Sequence, residues 1–283
     1  MTVLNGSLKD LCVSILSEDI IMDKHILKQN ENSWNALAED FFGVTALPIL
    51  GCSIPTENEL HLFPDLNGKA VFEMGCGSGH SLKWCAEHGA KELFGLDISE
   101  EQLKAANKLL NESGYSCTLY HQPMEENINI PQNYFDVVYS IYAIGWTTDL
   151  EKTIKNAASY LKQGGTYILS WDHPLLHCVD LESVAISGGN RTVATEERII
   201  FSGNYLEEDY YTFEKYGNPL TLQNRKLSTY INTLADAGFA VERVIEETSE
   251  TVLEKSANFA SGYYADFKAK HFPLSSVIKA RKL

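Results

Sequence analysis

Val71-Phe72-Glu73-Met74-Gly75-Cys76-Gly77-Ser78-Gly79, followed after one short helical stretch by Leu93-Phe94-Gly95-Leu96-Asp97, decides how this chain folds. The apolar run Ala70 to Met74 predicts a strand, His80 to His88 a helix that Gly89 can end, and Lys91 to Leu96 a second strand. Alternating glycines between the first strand and the helix allow a tight turn and a close backbone approach to a ligand, and the helix start offers free amides. Strand, glycine turn, helix and a second strand closed by the carboxylate of Asp97 make a nucleoside-binding βαβ unit. A dinucleotide site would need a further glycine where this chain has His80, so that match is weak.

Outward from this unit the alternation of strand and helix continues. Ser99-Glu100-Glu101-Gln102 has the form of a capping box, and the helix behind it runs to about Asn111, before Gly114. Cys117 to His121 and Phe135 to Ser140 read as strands, Leu150 to Leu161 as an amphipathic helix, and Thr166 to Trp171 as a fifth strand after Gly164-Gly165. Leu227 to Ala237 is helical, Phe239 to Ile245 a strand, and Pro273 to Ala280 a final strand. Upstream, residues 5 to 42 read as helical up to Gly43, and residues 43 to 68, with three prolines, form a connection. Single helices between strands predict an α/β fold, a Rossmann-like, doubly wound, mostly parallel seven-stranded sheet with helices on both faces.

Two regions fall outside that sheet. Residues 1–68 are expected to be an N-terminal helical cap with its linker, and 69–283 the main domain. Residues 172–225 interrupt the latter as an inserted lid rich in tyrosine, placed after a strand's carboxyl end where substrate walls usually stand.

With 283 residues, 44% of them hydrophobic, the chain can bury one generous core. A net charge of −15 and a pI near 4.9 repel phosphate backbones and anionic lipid, which argues against nucleic acid and membrane partners. Six cysteines without a CxxC pair or a cysteine–histidine cluster indicate neither a disulfide framework nor a metal site. The apolar stretch Leu11 to Met22 is broken by Glu18 and Asp19 and lacks a basic start, so it reads neither as a signal peptide nor as a membrane span. A cytoplasmic setting is expected.

Glu73-x-Gly75-x-Gly77-x-Gly79 resembles the first motif of the class I S-adenosylmethionine-dependent methyltransferases, small-molecule type. Asp97 stands where that family places a carboxylate for both ribose hydroxyls. Phe135-Asp136-Val137-Val138 is similar to its fourth-strand signature, Leu161 to Thr166 to its turn into the fifth, and Phe272-Pro273-Leu274 to the start of a late strand. The resemblance implies S-adenosyl-L-methionine as cofactor, S-adenosyl-L-homocysteine as product, and no metal. A lone carboxylate suits two hydroxyl donors and would repel a ribose phosphate. The implied cofactor set is Glu73, Gly75, Cys76, Gly77, Gly79, Asp97 and Ile98, with Met124 packing on adenine and Gln122 or Glu125 serving its amino group. Pro123 stands where the family often has an acid there. Ser140 at a strand end and Trp34 complete the set; Trp34 fits a closing helix and an ordinary core residue equally. Asp136 reads as a structural acceptor of backbone amides and Cys76 as a packing residue.

The sulfonium methyl needs an oxygen, nitrogen, sulfur or carbon nucleophile held in line and kept dry, and for a hydroxyl or ammonium substrate a general base beyond the fourth or fifth strand helps. His173, beside Asp172, is the candidate catalytic base, since a neighbouring carboxylate can hold it near neutrality; a bond to a loop carbonyl is the competing reading. Tyr142, Trp146, Tyr205 and Arg225 are candidate substrate contacts, and Arg225 is as readily explained by pairing with a glutamate. The expected function is methyl transfer to an oxygen or nitrogen of a small metabolite. The alternatives are a methyltransferase of protein or RNA, a nucleotide-dependent oxidoreductase, and a non-catalytic cofactor-binding module.

Overall fold

A computed structural model describes residues 8–188, 191–254 and 262–283, and their side chains except over 8–21 and 185–195. The chain opens with α1 (Leu8–Ala36) and a short α2 (Glu57–Leu60). Then come β1 (Ala70–Met74), α3 (His80–Glu87), β2 (Glu92–Asp97), α4 (Glu100–Glu112), β3 (Cys117–His121), β4 (Phe135–Ile141), α5 (Leu150–Tyr160) and β5 (Leu161–Asp172). Two hairpins follow, β6 (Val179–Gly188) with β7 (Arg191–Phe201) and β8 (Tyr210–Lys215) with β9 (Asn218–Gln223). The chain closes with α6 (Leu227–Asp236), β10 (Phe239–Ile245), α7 (Glu250–Glu254), α8 (Asp266–Ala269) and β11 (Ser275–Lys282).

Seven strands form one sheet in the order β10-β11-β5-β4-β1-β2-β3, parallel except for β11, which runs antiparallel to both neighbours. All five residues of β1 are buried, as a central parallel strand covered on both faces requires. Alternate residues feed two cores. Phe72, Val138 and Tyr167 pack under α5 and α6, whereas Val71, Val137 and Ile168 pack under α3 and α4. After β1 the chain winds outward through β2 and β3, then returns to β4 on the other side of β1. The strand order therefore reverses between β1 and β4, and a crevice opens there at the carboxyl ends of the strands.

Asp136 carries out the structural task expected of it, accepting from the Ala70 amide at 3.0 Å and pairing with Lys162 at 2.9 Å. The capping box at Ser99 forms only by half. Ser99 Oγ accepts from the Gln102 amide at 3.2 Å, but the Ser99 amide donates to Asp97, so the Gln102 side chain is not drawn back to it. The first helix ends at Ala36 instead of 42, giving way to turns, and residues 5 to 7 of the expected helix lie outside the described residues. The last strand begins at Ser275, after Pro273, and runs on to Lys282.

The helical cap and the insert are joined to each other. The Asn30 side chain donates to the Thr221 carbonyl at 2.7 Å and accepts from the Thr221 amide at 2.9 Å, which locks α1 to β9. One turn further on, Asn35 Oδ1 accepts from Ser99 Oγ at 2.8 Å and from the Glu101 amide at 3.2 Å, fixing α1 to the start of α4. α1 thus crosses the crevice with the hairpin on one side and the Asp97 turn on the other. Among the described residues no helix is long and apolar enough to cross a membrane.

Candidate active site

All three glycines of the loop adopt positive φ, +79° at Gly75, +48° at Gly77 and +77° at Gly79, but they do different work. A Cβ on Gly75 would lie 2.3 Å from the Ala143 Cβ, so this glycine lets the loop press against the turn after β4. On Gly79 it would lie 2.9 Å from the Ala106 Cβ, which makes Gly79 a packing position between α3 and α4 and takes it out of the cavity wall. At Gly77 the nearest atom would be Gln102 Oε1 at 3.9 Å, so the space in front of this residue is open for a ligand. Neighbouring serines bring in the cap linker, the Gly43 amide donating to Ser78 Oγ at 3.0 Å and the Leu47 amide to Ser81 Oγ at 3.1 Å.

Asp97 faces this loop. Its Oδ2 accepts from the Gly77 amide and its Oδ1 from the Ser99 amide, each at 2.8 Å, which leaves each oxygen a lone pair for a further donor. Burial pushes its carboxyl above the ordinary range and the two amides pull it back. Gln102 Oε1, buried against the same cavity, has no donor. Glu73 is 2% exposed, accepts from Tyr139 at 3.4 Å, and is held well above the usual carboxylate range by burial. A buried acid with no cation beside it favours a positively charged occupant.

These groups wall a cavity of about 860 Å³ between the strand ends, α1 and the β8–β9 hairpin. Trp34, Cys76, Ile98, Met124 and Glu125 also line it. Glu125 Oε1 is taken by the amide and hydroxyl of Thr148, at 2.9 and 2.8 Å. Trp34 meets Trp146 edge to face at 5.2 Å, and Trp146 meets Trp171 at 5.4 Å, so one aromatic chain runs from the cap across the cavity wall. Gly145 makes room for it, since a Cβ there would sit 1.8 Å from the Trp171 ring.

Several expected positions lie elsewhere. Gln122 is exposed and outside the cavity wall. Ser140 is fully buried in β4 with its hydroxyl unpartnered, and it faces the packed interior. Tyr205 accepts from the Leu227 amide at 3.3 Å, at the start of α6. Among the described residues no glutamate pairs with Arg225; its Nη2 donates to the Thr147 carbonyl, so it braces the turn after β4 from behind. His173 is turned away from the cavity, with Nε2 at 2.7 Å from Glu246 and Nδ1 accepting from the Leu175 amide at 3.2 Å. Burial holds it below the ordinary histidine value. Both nitrogens are engaged in tying the turn after β5 to the segment that follows β10, and His173→Gln is expected to cost about 1 kcal/mol of stability and leave kcat within about threefold of wild type. Urea unfolding and steady-state rates on one preparation check this.

The residue before it, Asp172, does face the cavity. It is 5% exposed and accepts from the Tyr142 hydroxyl at 2.6 Å and from Tyr264 at 3.0 and 3.1 Å. Burial pushes it from 3.8 up to about 6. The titratable groups around it stay uncharged near neutrality: burial raises Tyr142, Tyr211, Tyr263, Tyr264 and Cys52, and lowers His177 to about 4. A folded-state value above the unfolded one means that the contribution of Asp172 is fully present below about 3.8 and is lost as pH rises through about 6. Relative to Asp172→Asn, ligand-free wild type is therefore expected to lose about 2.4 kcal/mol of stability between pH 4 and 7, because each tenfold change in proton affinity corresponds to about 1.4 kcal/mol. Urea midpoints of the two proteins across that range check it.

Comparison with known proteins agrees with the geometry. A family model described as a methyltransferase domain matches residues 72–169. An uncharacterized protein of Haemophilus influenzae is 29% identical over 228 residues, covering 79% of this chain and 85% of that one. The ubiquinone biosynthesis O-methyltransferase of Azoarcus is 32% identical over 105 residues, covering 37% of this chain and 45% of that protein. Among solved structures, a putative S-adenosylmethionine-dependent methyltransferase from Listeria monocytogenes has a TM-score of 0.62 at 25% identity, covering 80% of this chain and 96% of that one. A Mesorhizobium loti structure shares the fold at the same TM-score, with 23% identity over 79% of this chain and 95% of that one. Residues 72–169 carry a methyltransferase domain, and the fold is that of the S-adenosylmethionine-dependent methyltransferases. Among the described residues no group of three or more metal-ligating side chains converges.

Proposed function

We propose that the protein transfers the methyl group of S-adenosylmethionine to a nitrogen or oxygen atom of a small-molecule acceptor. The observation that carries this reading is the roof of the cavity: Trp34 and Phe41 from the cap and Phe213, Leu220 and Leu222 from the insert cover it from above. A concave cavity of about 860 Å³ bordered in this way is within the size range of small-molecule sites, roughly 300 to 1,000 Å³, and does not offer a folded protein or a duplex a flat surface. The net charge of −15 works against an RNA acceptor as well.

The cofactor fits the residues present. Asp97 and the open Gln102 oxygen would receive the ribose hydroxyls, Gly77 leaves the backbone bare beside them, Met124 and Glu125 would hold the adenine side, and Glu73 supplies negative charge toward the methionine part. Bound there, S-adenosylmethionine supplies a methyl already activated by its positive sulfur. What remains for the chain is to exclude water, orient the acceptor and manage its proton. Residues 1–68 are read as cap and linker and 172–225 as the lid. Five described cysteines are free, in keeping with a reducing cytoplasmic setting.

A labelled-methyl screen tests the reading. Incubated with labelled S-adenosylmethionine and a cell extract split by size, the protein is expected to label the small-metabolite fraction. Label confined to protein or RNA would overturn the small-molecule assignment.

A further inference from the structure

The part of the cavity that the donor does not need is built around one acid. Asp172 ends β5, opposite Ser275 of β11, and the polar groups that reach it are tyrosine hydroxyls, from Tyr142, Tyr264 and Tyr263. Among the described residues no lysine, arginine or histidine pairs with it. The nearby Lys268 is committed to the Val179 carbonyl at 3.0 Å and lies over the Tyr263 ring. Lys215, the one lysine in the cavity wall among the described residues, sits against Phe41 and Tyr216. A buried carboxylate held by neutral donors alone is costly unless a cation meets it.

The surroundings suit such a cation. Trp171 and Tyr142 stand 5.6 Å apart, and Tyr263 and Tyr264 meet edge to face at 4.8 Å; all four rings line the cavity beside Asp172. Aromatic faces around a carboxylate are a receptor for an ammonium group. Tyr142 is held there at a cost. Its φ of +53° is in the left-handed region, rare for an aromatic residue, and its ring lies so close to Gly51 that a Cβ there would be 2.7 Å from it. Its hydroxyl also lies 2.7 Å from Ser275 Oγ, which donates to the Cys52 carbonyl at 2.8 Å, so the tyrosine that donates to the carboxylate is held on its far side as well.

We propose that the acceptor is an amine, received as its ammonium form by Asp172 within this ring of tyrosines and Trp171. The inference rests on the reading of the cavity as a methyl-transfer site for a small molecule. Asp172 takes one proton from the ammonium, forming its O–H as the N–H breaks, and the freed nitrogen lone pair forms the new bond to carbon as the methyl–sulfur bond breaks with its electrons left on sulfur. The product nitrogen is again cationic, and the proton on Asp172 passes to water when the product leaves.

Calorimetric titration of the protein saturated with S-adenosylhomocysteine tests this, with 2-phenylethylamine and the neutral 2-phenylethanol as probes at pH 8. The amine is expected to bind at least tenfold more tightly than the alcohol. Repeated at pH 6 in two buffers of different ionisation enthalpy, its binding is expected to release a proton, because the incoming charge drives Asp172 to ionise. Asp172→Asn should abolish both the preference and the proton release with S-adenosylhomocysteine affinity kept. Tyr264→Phe, which leaves the acid in place, should reduce the preference only in part. Equal affinity for the two probes, no amine binding up to millimolar concentration, or a preference that survives in Asp172→Asn would overturn the proposal. Loss of S-adenosylhomocysteine binding by the wild-type protein would instead overturn the methyl-transfer reading beneath it.

Discussion

Asp97→Ala is expected to weaken S-adenosylhomocysteine binding by about 100-fold or more. A hydrogen bond to a charged acceptor contributes about 1.5 to 3 kcal/mol, and this carboxylate has lone pairs free for two ribose hydroxyls. The same oxygens hold the Gly77 and Ser99 amides at 2.8 Å, so removing the carboxylate also releases the glycine turn and the start of α4. Asp97→Asn separates the two effects. It keeps one acceptor oxygen, and so one of the two amide bonds, while its N–H faces the other amide and a hydroxyl that needs an acceptor; it is expected to lose most of the affinity with a smaller fall in Tm than Asp97→Ala. Calorimetry and thermal melts on the two variants read these quantities separately. Wild-type affinity in either variant would remove Asp97 from the site.

Gly75→Ala is expected to be more damaging still. The added Cβ would stand 2.3 Å from the Ala143 Cβ, and neither side chain has a rotamer with which to give way. The backbone would have to move, and at φ +79° an alanine is already strained by about 1 to 3 kcal/mol. Overpacking adds about as much again. A stability loss of about 3 kcal/mol or more is expected, with S-adenosylhomocysteine binding no longer measurable at micromolar protein. Gly77→Ala is the informative contrast. Its Cβ meets open space, so the loop should survive while the ligand is obstructed, giving a near-normal melt with weakened binding.

Much of this architecture could be read from the residues. All seven sheet strands were legible because parallel strands are continuous apolar runs bounded by glycines and caps, and β1, with every residue buried, is the extreme case. The doubly wound order followed from single helices between strands, and Asp97 from its place at the end of β2 beside the glycine loop. The two hairpins of the insert were not legible as strands. β7 carries the charged run Glu196-Glu197-Arg198 and the tyrosine-rich β8 ends in Glu214-Lys215, on hairpins outside the main sheet, and such segments read as loop.

The site was less legible where one residue decides. His173 carries the chemistry that draws attention near neutral pH, but the turn after β5 points its neighbour Asp172 into the cavity and sends His173 to Glu246. Nothing in Trp171-Asp172-His173-Pro174 announces that choice, which depends on the pairing of Asp172 with Ser275 more than a hundred residues later. Gln102 was hidden in a similar way. The capping pattern assigned its side chain to the Ser99 amide, and Asp97 takes that amide instead. Tyr263 and Tyr264 reach Asp172 from the far end of the chain, a contact that no local motif encodes.

A crystal structure with S-adenosylhomocysteine bound is the most direct test of the central claim, that the glycine turn and the Asp97 carboxylate together form the donor site. The ribose hydroxyls are expected within hydrogen-bonding distance of the Asp97 carboxylate, beside the bare backbone of Gly77, with the sulfur turned toward the Asp172 end of the cavity. A ribose bound elsewhere, or an Asp97 carboxylate facing away from the sugar, would contradict the account.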